Sequence, residues 1–181
     1  MSAKIIKNHI KEGLQLAEEY AVPKIVSDFI PMHHGTSLVE YFYRVALEEA
    51  DDPSKVDETA FRYPGPKPNT KETGILMICE AVEAAVRSLQ DRDMMKIEDM
   101  IDKIIKNRVD DGQLDECPLT LDELRRIKGT VDSSSGMLAV LRGIYHIRIE
   151  YPEVNLKPES PSTFSSKSQQ ASTSGQNGPD K

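Results

Sequence analysis

Apolar side chains recur at intervals of three and four residues along most of the sequence before Pro152, as they do on one face of an α-helix. Few stretches show the strict alternation of apolar and polar residues that a half-buried strand requires. One stripe belongs to a central helix predicted over 71–89 and consists of Ile75, Ile78, Cys79, Val82, Val86 and Leu89. This spacing predicts an all-α fold, built as a bundle of helices.

Other stripes and start signals divide the same region into further helices. One face of a predicted first helix carries Ile5, Ile6, His9, Gly13, Leu16, Ala17 and Tyr20. Thr36 is placed to cap a helix that follows it, and Thr120 with Glu123 has the spacing of a capping box. A last helix is predicted from about Met137 to Ile149. The segment 51–70 is predicted to be a long loop, because the prolines of its RYPGPKP sequence exclude helix.

The composition changes near Pro152 and divides the chain into two regions. Residues 153–181 are rich in Ser, Gln, Gly and Pro and contain one aromatic residue. Such a segment buries too little apolar surface to offset the entropy lost on ordering. We therefore expect a folded domain over 1–152 and a disordered tail over 153–181.

Charge and composition exclude several classes of function. The net charge of −7 argues against binding of a nucleic-acid polymer, because phosphate attraction requires a basic surface. No stretch approaches the roughly 18 consecutive apolar residues of a membrane span. The cysteines, Cys79 and Cys117, do not make a disulfide framework, so a reducing cytoplasm is the expected location.

The histidines are the residues best suited to carry chemistry, because neutral imidazole binds first-row metals and a carboxylate can balance their charge. His9 lies on the apolar face of the first helix, where the alternative is a core histidine bonded to a carbonyl. His33 and His34 are adjacent on a predicted turn and could approach two ions, or they could be two exposed loop residues. Glu80 lies on a flank of the central helix that faces either solvent or a metal-bearing surface.

Several short motifs occur in a series that is similar to a known family. They are HIKEG at 9–13, HHGT at 33–36, FRYPGPKP at 61–68, VEAAVRSL at 82–89, DGQL at 111–114 and CPLT at 117–120. Their order resembles the cytoplasmic HD domain of the bacterial seven-transmembrane HD phosphohydrolases. The resemblance covers roughly residues 1–152.

The resemblance implies an all-helical HD bundle with a centre of two divalent metal ions, usually iron or manganese. It assigns metal ligation to His9, His33 and His34. The last ligand of the family is an aspartate, and Glu80, one methylene longer, occupies its place here. The family includes membrane-anchored phosphodiesterases that convert cyclic di-AMP to pApA. The implied function is therefore hydrolysis of a cyclic dinucleotide by metal-activated water.

The resemblance also marks what this sequence lacks. Family members carry an earlier histidine and a His-Asp doublet upstream of the segment that matches His9, and no His-Asp dipeptide occurs here. We therefore expect an N-terminally truncated domain that binds metal weakly and has little activity by itself. Uncovered apolar surface on the His9 helix predicts self-association. The alternative is a non-catalytic helical module that binds a nucleotide or a protein.

Basic residues near the proline-rich loop are candidates for contacts with a second phosphate of the substrate. Arg62, Lys67 and Lys71 cluster around this loop, and a residue such as Arg62 or Lys71 could take this role, because guanidinium and ammonium groups bind phosphate oxygens. A charged surface loop without a ligand is the alternative.

Overall fold

The computed structural model describes the backbone of residues 3–146 and the side chains of residues 3–145. The helices are α1 (Ala3–Glu19), α2 (Lys24–Ser27), α3 (Phe29–Met32), α4 (Glu40–Glu49), α5 (Lys71–Ser88), α6 (Met94–Asp110), α7 (Leu121–Lys128) and α8 (Met137–His146). Within 3–146 there is no strand, and one isolated antiparallel bridge joins Leu38 to Arg62. The all-α prediction is confirmed. The tail predicted over 153–181 and the predicted end of the last helix at 147–149 lie outside the described residues.

The hydrophobic core lies between the central helices of the bundle. Thr70 is the N-cap residue of α5, and its hydroxyl accepts a hydrogen bond from the backbone N–H of Thr73. The apolar stripe predicted for this helix reaches the core, where it packs against α6 and α8. The fully buried side chains of this core include Ile78, Val86, Ile97, Ile101 and Leu138.

The prediction of a helix start is confirmed where the cap depends on neighbouring residues, and it is wrong where a residue distant in sequence binds the capping segment. Thr120 and Glu123 form the predicted capping box at the start of α7. The prediction that Thr36 caps the next helix is wrong, because α4 begins only at Glu40. The backbone N–H of Thr36 instead donates to the side chain of Gln113 at 2.9 Å, which holds this segment as a turn.

The buried face of α1 is rotated from the face that the sequence predicts. Ala3, Ile10 and Ala17 are buried, whereas Ile5 is 62% exposed and Leu16 is 54% exposed. Helix α1 packs on α3, and Gly13 allows this close approach: an added Cβ would lie 2.9 Å from Ile30 Cγ2. Periodicity identifies the apolar residues of a helix, but the neighbouring helix decides which of them are covered.

Among the described residues, no helix combines the length and the apolar character needed to cross a membrane.

Candidate metal centre

His9 lies in the middle of α1, the helix that packs on α3. Its Nδ1 atom lies 2.5 Å from the backbone carbonyl oxygen of Ile6, one turn earlier. A carbonyl only accepts hydrogen bonds, so this contact places the proton of a neutral imidazole on Nδ1. The Nε2 atom of His9 then keeps its lone pair for a ligand. This pattern, with one ring nitrogen bonded to the backbone, is typical of metal-binding histidines.

His33 also has its Nδ1 atom bonded to a backbone carbonyl oxygen, although it lies at the end of a different helix. It ends α3, and its Nδ1 atom lies 2.7 Å from the carbonyl oxygen of Ile30. The short α3 helix thus determines the tautomer of His33 as α1 determines that of His9. The Nε2 atoms of His9 and His33 lie 3.3 Å apart, so both lone pairs are directed into the same space.

His34 continues the turn, and backbone geometry after it sets its direction. Gly35 has φ +53°, a conformation that glycine adopts without strain. The hydroxyl of Ser37 donates to the carbonyl oxygen of His34 at 2.6 Å and closes the turn. The rings of His33 and His34 lie with their centroids 4.0 Å apart and are tilted by 40°, so the two adjacent side chains converge rather than diverge.

These histidines form a cluster, here called the histidine cluster, that could hold a metal ion. One ring nitrogen from each of His9, His33 and His34 lies within 4.8 Å of the corresponding atoms of the other two. Imidazole nitrogens at this mutual distance suit first-row divalent metals. The backbone bonds of His9 and His33 and the free Nε2 atoms also fit such an ion. The donor chemistry therefore agrees with a metal centre.

Burial keeps His34 uncharged at neutral pH. The pKa of His34 is lowered to about 3, first by burial and then by the nearby His33, His9 and Arg108. The ring of Tyr63 stacks on His34 at a centroid distance of 4.2 Å and covers one of its faces. A neutral imidazole is the form that binds metals, so this environment prepares His34 for ligation.

Glu80 lies on α5 at the edge of the histidine cluster. Its Oε2 atom is 3.7 Å from Nδ1 of His34, which is too far for a hydrogen bond, and His34 is uncharged, so the two side chains do not form an ion pair. The other charged residues on the same flank of α5 face solvent. Glu83 and Arg87 form an exposed ion pair with each other at 3.3 Å. Only the Glu80 end of this flank faces the site.

A polar network that sequence analysis missed holds the histidine turn against the rest of the bundle. Gln113 is buried and accepts a hydrogen bond from the backbone N–H of Thr36 at 2.9 Å. The side-chain amide of Gln113 donates to Asp111 at 2.9 Å, and Arg62 donates to both carboxylate oxygens of Asp111. Arg62 also donates to the carbonyl oxygen of Thr36 at 2.9 Å. The DGQL motif was the available signal, but its distance in sequence from the turn concealed the contact.

Arg62 and Lys71 have structural partners instead of the open phosphate contacts suggested from sequence. Arg62 is held by Asp111 and Glu58, which raise its pKa. Lys71 pairs with Glu123, and this pairing lowers the pKa of Glu123 to about 2. These basic residues stabilise the loop and the start of α7.

A cavity of about 770 Å³ adjoins the histidine cluster. His34, Glu80, Tyr63 and Arg108 contribute polar side chains to its lining. Helix α5 contributes small residues to the same lining: Ala81, Ala84, Ala85 and Ser88. A cavity of this size next to a cluster of metal-binding side chains is typical of a small-molecule site.

Comparison with known proteins assigns the chain to a family. It is 42% identical over 157 residues to the cyclic-di-AMP phosphodiesterase PgpH of Bacillus subtilis, a match that covers 87% of this chain and 21% of that protein. It is 45% identical over 152 residues to PgpH of Listeria monocytogenes, covering 84% of this chain and 20% of that protein. The crystal structure of the Listeria monocytogenes PgpH HD domain in complex with cyclic-di-AMP matches with a TM-score of 0.73 and 44% identity. The chain belongs to the PgpH-type HD domains.

The match covers most of this chain but only part of the PgpH proteins. The structural alignment covers 82% of this chain and 66% of the crystallised Listeria monocytogenes domain. The chain spans about a fifth of the length of the curated PgpH relatives, as their 21% and 20% coverage shows. No protein-family model matches the chain. The family resemblance seen in the sequence motifs is confirmed, together with the helical HD-domain fold.

Proposed function

We propose that this PgpH-type HD domain contributes to a divalent-metal phosphodiesterase that hydrolyses a cyclic dinucleotide, cyclic di-AMP, to pApA. One observation carries the proposal: His9 and His33 each bond Nδ1 to a backbone carbonyl and bring Nε2 to within 3.3 Å of the other. Such an arrangement costs conformational entropy and leaves both Nε2 atoms free for a ligand. It suits shared ligation, and the relatives at 42% and 45% identity are phosphodiesterases.

The proposed metal ligands are His9, His33, His34 and Glu80, and the proposed ions are two divalent cations, iron or manganese. When bound, such cations lower the pKa of water and neutralise charge on a phosphate ester. His34 remains neutral through burial, so it does not repel a cation. Glu80 is the carboxylate beside the cluster and would supply negative charge. Tyr63 holds the His34 ring in place by stacking on it.

We also propose that the chain by itself binds metal weakly and turns over slowly. Three imidazoles and one carboxylate supply few donors for two cations, which commonly take about four to six ligands each. The exposed apolar residues Ile5 and Leu16 on α1, with Tyr20 directly after it, favour self-association. The free thiols of Cys79 and Cys117 agree with a cytoplasmic location.

Metal analysis followed by an assay of hydrolysis tests this function. The purified chain would be loaded with Mn²⁺, its metal content measured, and cyclic di-AMP and pApA separated by chromatography. We expect substoichiometric Mn²⁺ that falls further in His33→Ala and His34→Ala. Gln90→Ala, an exposed change outside the site, is the control and should leave metal content unchanged.

The outcomes of this assay separate the candidate functions. Slow, Mn²⁺-dependent formation of pApA supports the phosphodiesterase. Stoichiometric metal with rapid turnover would contradict the expectation of a weak isolated chain while supporting the reaction. Binding of cyclic di-AMP without turnover, unaffected by His33→Ala, would favour a non-catalytic binding module. Identical metal content in wild type and both histidine variants would refute the proposed ligands.

A further inference from the structure

Arg108 on α6 is a basic residue beside the metal centre that motif and spacing did not single out. It lines the 770 Å³ cavity together with His34, Glu80 and Tyr63. Its Nε atom is buried and has no hydrogen-bond partner among the described residues. Buried polar groups are almost always paired in folded proteins, so a guanidinium nitrogen left in this state requires an explanation.

Two of the acidic residues around Arg108, Asp111 and Glu40, already pair with other arginines. Asp111 gives both carboxylate oxygens to Arg62, at 2.8 and 3.0 Å. Glu40 pairs with Arg44 at 2.7 Å, and Glu80 faces His34 at 3.7 Å. Within the described part of the chain, no carboxylate lies within the 4.0 Å of an ion pair to Arg108.

An unpaired guanidinium in this position is costly to the fold. Burial is the main influence on its pKa, which it lowers, although Asp111 and Glu80 oppose this effect from a distance. A charge removed from water is normally paired or retained for a ligand. The histidine cluster next to it would bring further positive charge when it binds cations. The site as a whole therefore requires an anion.

Phosphate is the anion whose geometry matches a guanidinium. The planar fork of arginine donates parallel hydrogen bonds to two oxygens of one phosphate group. The cavity is much larger than a phosphate ion and falls within the range of small-molecule sites, so it suits a phosphodiester with its attached nucleosides. The small residues of α5 in the lining, such as Ala81 and Ala84, leave space for such a ligand.

We propose that Arg108 is a phosphate-binding residue that holds non-bridging oxygens of the phosphodiester substrate beside the histidine cluster. This inference rests on the proposed function and specifies how the substrate is held. Arg108 takes the role that sequence reasoning suggested for Arg62 and Lys71, both of which have partners inside the fold.

Binding measurements on the full chain test the role of Arg108. Cyclic di-AMP would be titrated calorimetrically in the presence of Mn²⁺ into wild type, Arg108→Gln and Arg108→Lys. Loss of charge-assisted hydrogen bonds should weaken binding roughly 10-fold to 100-fold in Arg108→Gln. Arg108→Lys keeps the charge but loses the fork, so it should lie between the other two. Arg126→Gln, an exposed arginine on α7 paired with Asp122, is the matched control and should bind like wild type.

Thermal unfolding separates a ligand contact from a structural role. The unliganded Arg108→Gln chain should unfold at the wild-type temperature or above it, because the substitution removes a partly buried charge whose Nε atom has no hydrogen-bond partner among the described residues. The rise in unfolding temperature caused by cyclic di-AMP should be lost in the same variant. A structural arginine would give the opposite result, with a lower unfolding temperature in the free variant and a retained rise on adding ligand.

Inorganic phosphate provides a readout that does not depend on the dinucleotide. In a chain labelled with ¹⁵N-arginine, the Nε–H resonance assigned through Arg108→Lys should shift on addition of phosphate. Equal affinity of wild type and Arg108→Gln for cyclic di-AMP would overturn the inference. If wild type neither binds nor hydrolyses cyclic di-AMP, the proposed function fails, and the phosphate titration alone decides whether Arg108 is an anion site. An unmoved Arg108 resonance at saturating phosphate would then overturn that assignment.

Discussion

The central helices α5, α6 and α8 and the N-terminal helices α1–α3 differ in how much they contribute to the core. The central helices enclose Ile78, Ile97 and Leu138 completely. In α1–α3 the buried apolar side chains are small or few, whereas Ile5 and Ile25 are largely exposed. The histidine cluster nevertheless lies on the N-terminal helices and the turn after them.

This difference indicates that stability and the site depend on different contacts. The histidine turn is joined to the loops around the central helices by polar contacts, above all those of Gln113 and Arg62 with Thr36, and α3 before it packs on α5. A metal centre placed on weakly packed elements can adjust its geometry without unfolding the core. Substitutions can therefore separate the two regions.

The largest effect is expected from opening a cavity in the core. Ile101→Ala on α6 should reduce the free energy of unfolding by about 2–5 kcal/mol, because Ile101 is fully buried. Ile25→Ala removes the same atoms from an exposed side chain and should cost less than about 0.5 kcal/mol. Chemical denaturation measures both changes. Equal losses in the two variants would contradict the contrast between the regions.

Gly35→Ala should disturb the site more than the core. An added Cβ would lie 2.6 Å from Gln113 Oε1 and 2.7 Å from Met77 Cε, at a backbone φ of +53°. We expect a loss of about 1–3 kcal/mol in stability and roughly a 10-fold or greater loss in Mn²⁺ affinity.

Gly143→Ala is the matched control, since a Cβ there meets nothing within 4 Å. It should stabilise α8 by about 0.5–1 kcal/mol and leave Mn²⁺ affinity unchanged. If Gly35→Ala binds Mn²⁺ as wild type does, the turn is not the element that positions the cluster.

Gln113→Ala should loosen the histidine turn by removing polar contacts. It leaves the backbone N–H of Thr36 without its acceptor and removes one partner of Asp111, at a cost of about 1–3 kcal/mol. The imidazole resonances of His33 and His34 should broaden in NMR spectra, while core methyl resonances stay in place. Gln90→Ala, an exposed glutamine, should change neither set. Broadening confined to the core would argue against the proposed coupling.

The pH dependence caused by His34 is a gradual effect, spread over several pH units. Its pKa is near 3 in the fold and about 6.5 in the unfolded chain, so between these values the unfolded state binds more protons. Stability of the metal-free chain is therefore complete above about pH 6.5 and falls as the pH falls towards 3, by at most about 1.4 kcal/mol per pH unit. Denaturation of wild type and His34→Asn in EDTA measures this slope. The same slope in both would show that His34 is not its source.

Much of the fold could be predicted because its signals are local. The stripe of α5 and the capping box of Thr120 and Glu123 depend on residues within one or two turns, and both are confirmed. The rotation of α1 could not be predicted, because it follows from packing against α3. The start of α4 was also missed, since Gln113 determines the turn at Thr36 from 77 residues away.

The residues of the candidate site likewise fall into those that sequence motifs identified and those that only tertiary contacts revealed. Motif order identified His9, His33 and His34, and the structure brings them together. Whether Glu80 ligates a metal stays a prediction. Arg108 carries no motif and was missed, because a lone arginine on a helix becomes distinctive only when its surroundings are known.

The sequence by itself determined the helical periodicity, the capped helix starts and the histidines with the chemistry to bind a metal. Those properties depend on side-chain type and on spacings of a few residues. Only the tertiary structure decided which α1 side chains are buried, which arginine has partners and which stands unpaired beside the site. Burial and charge pairing depend on residues distant in sequence, and Asp111 illustrates this by pairing with Arg62 while Nε of Arg108 has no partner among the described residues.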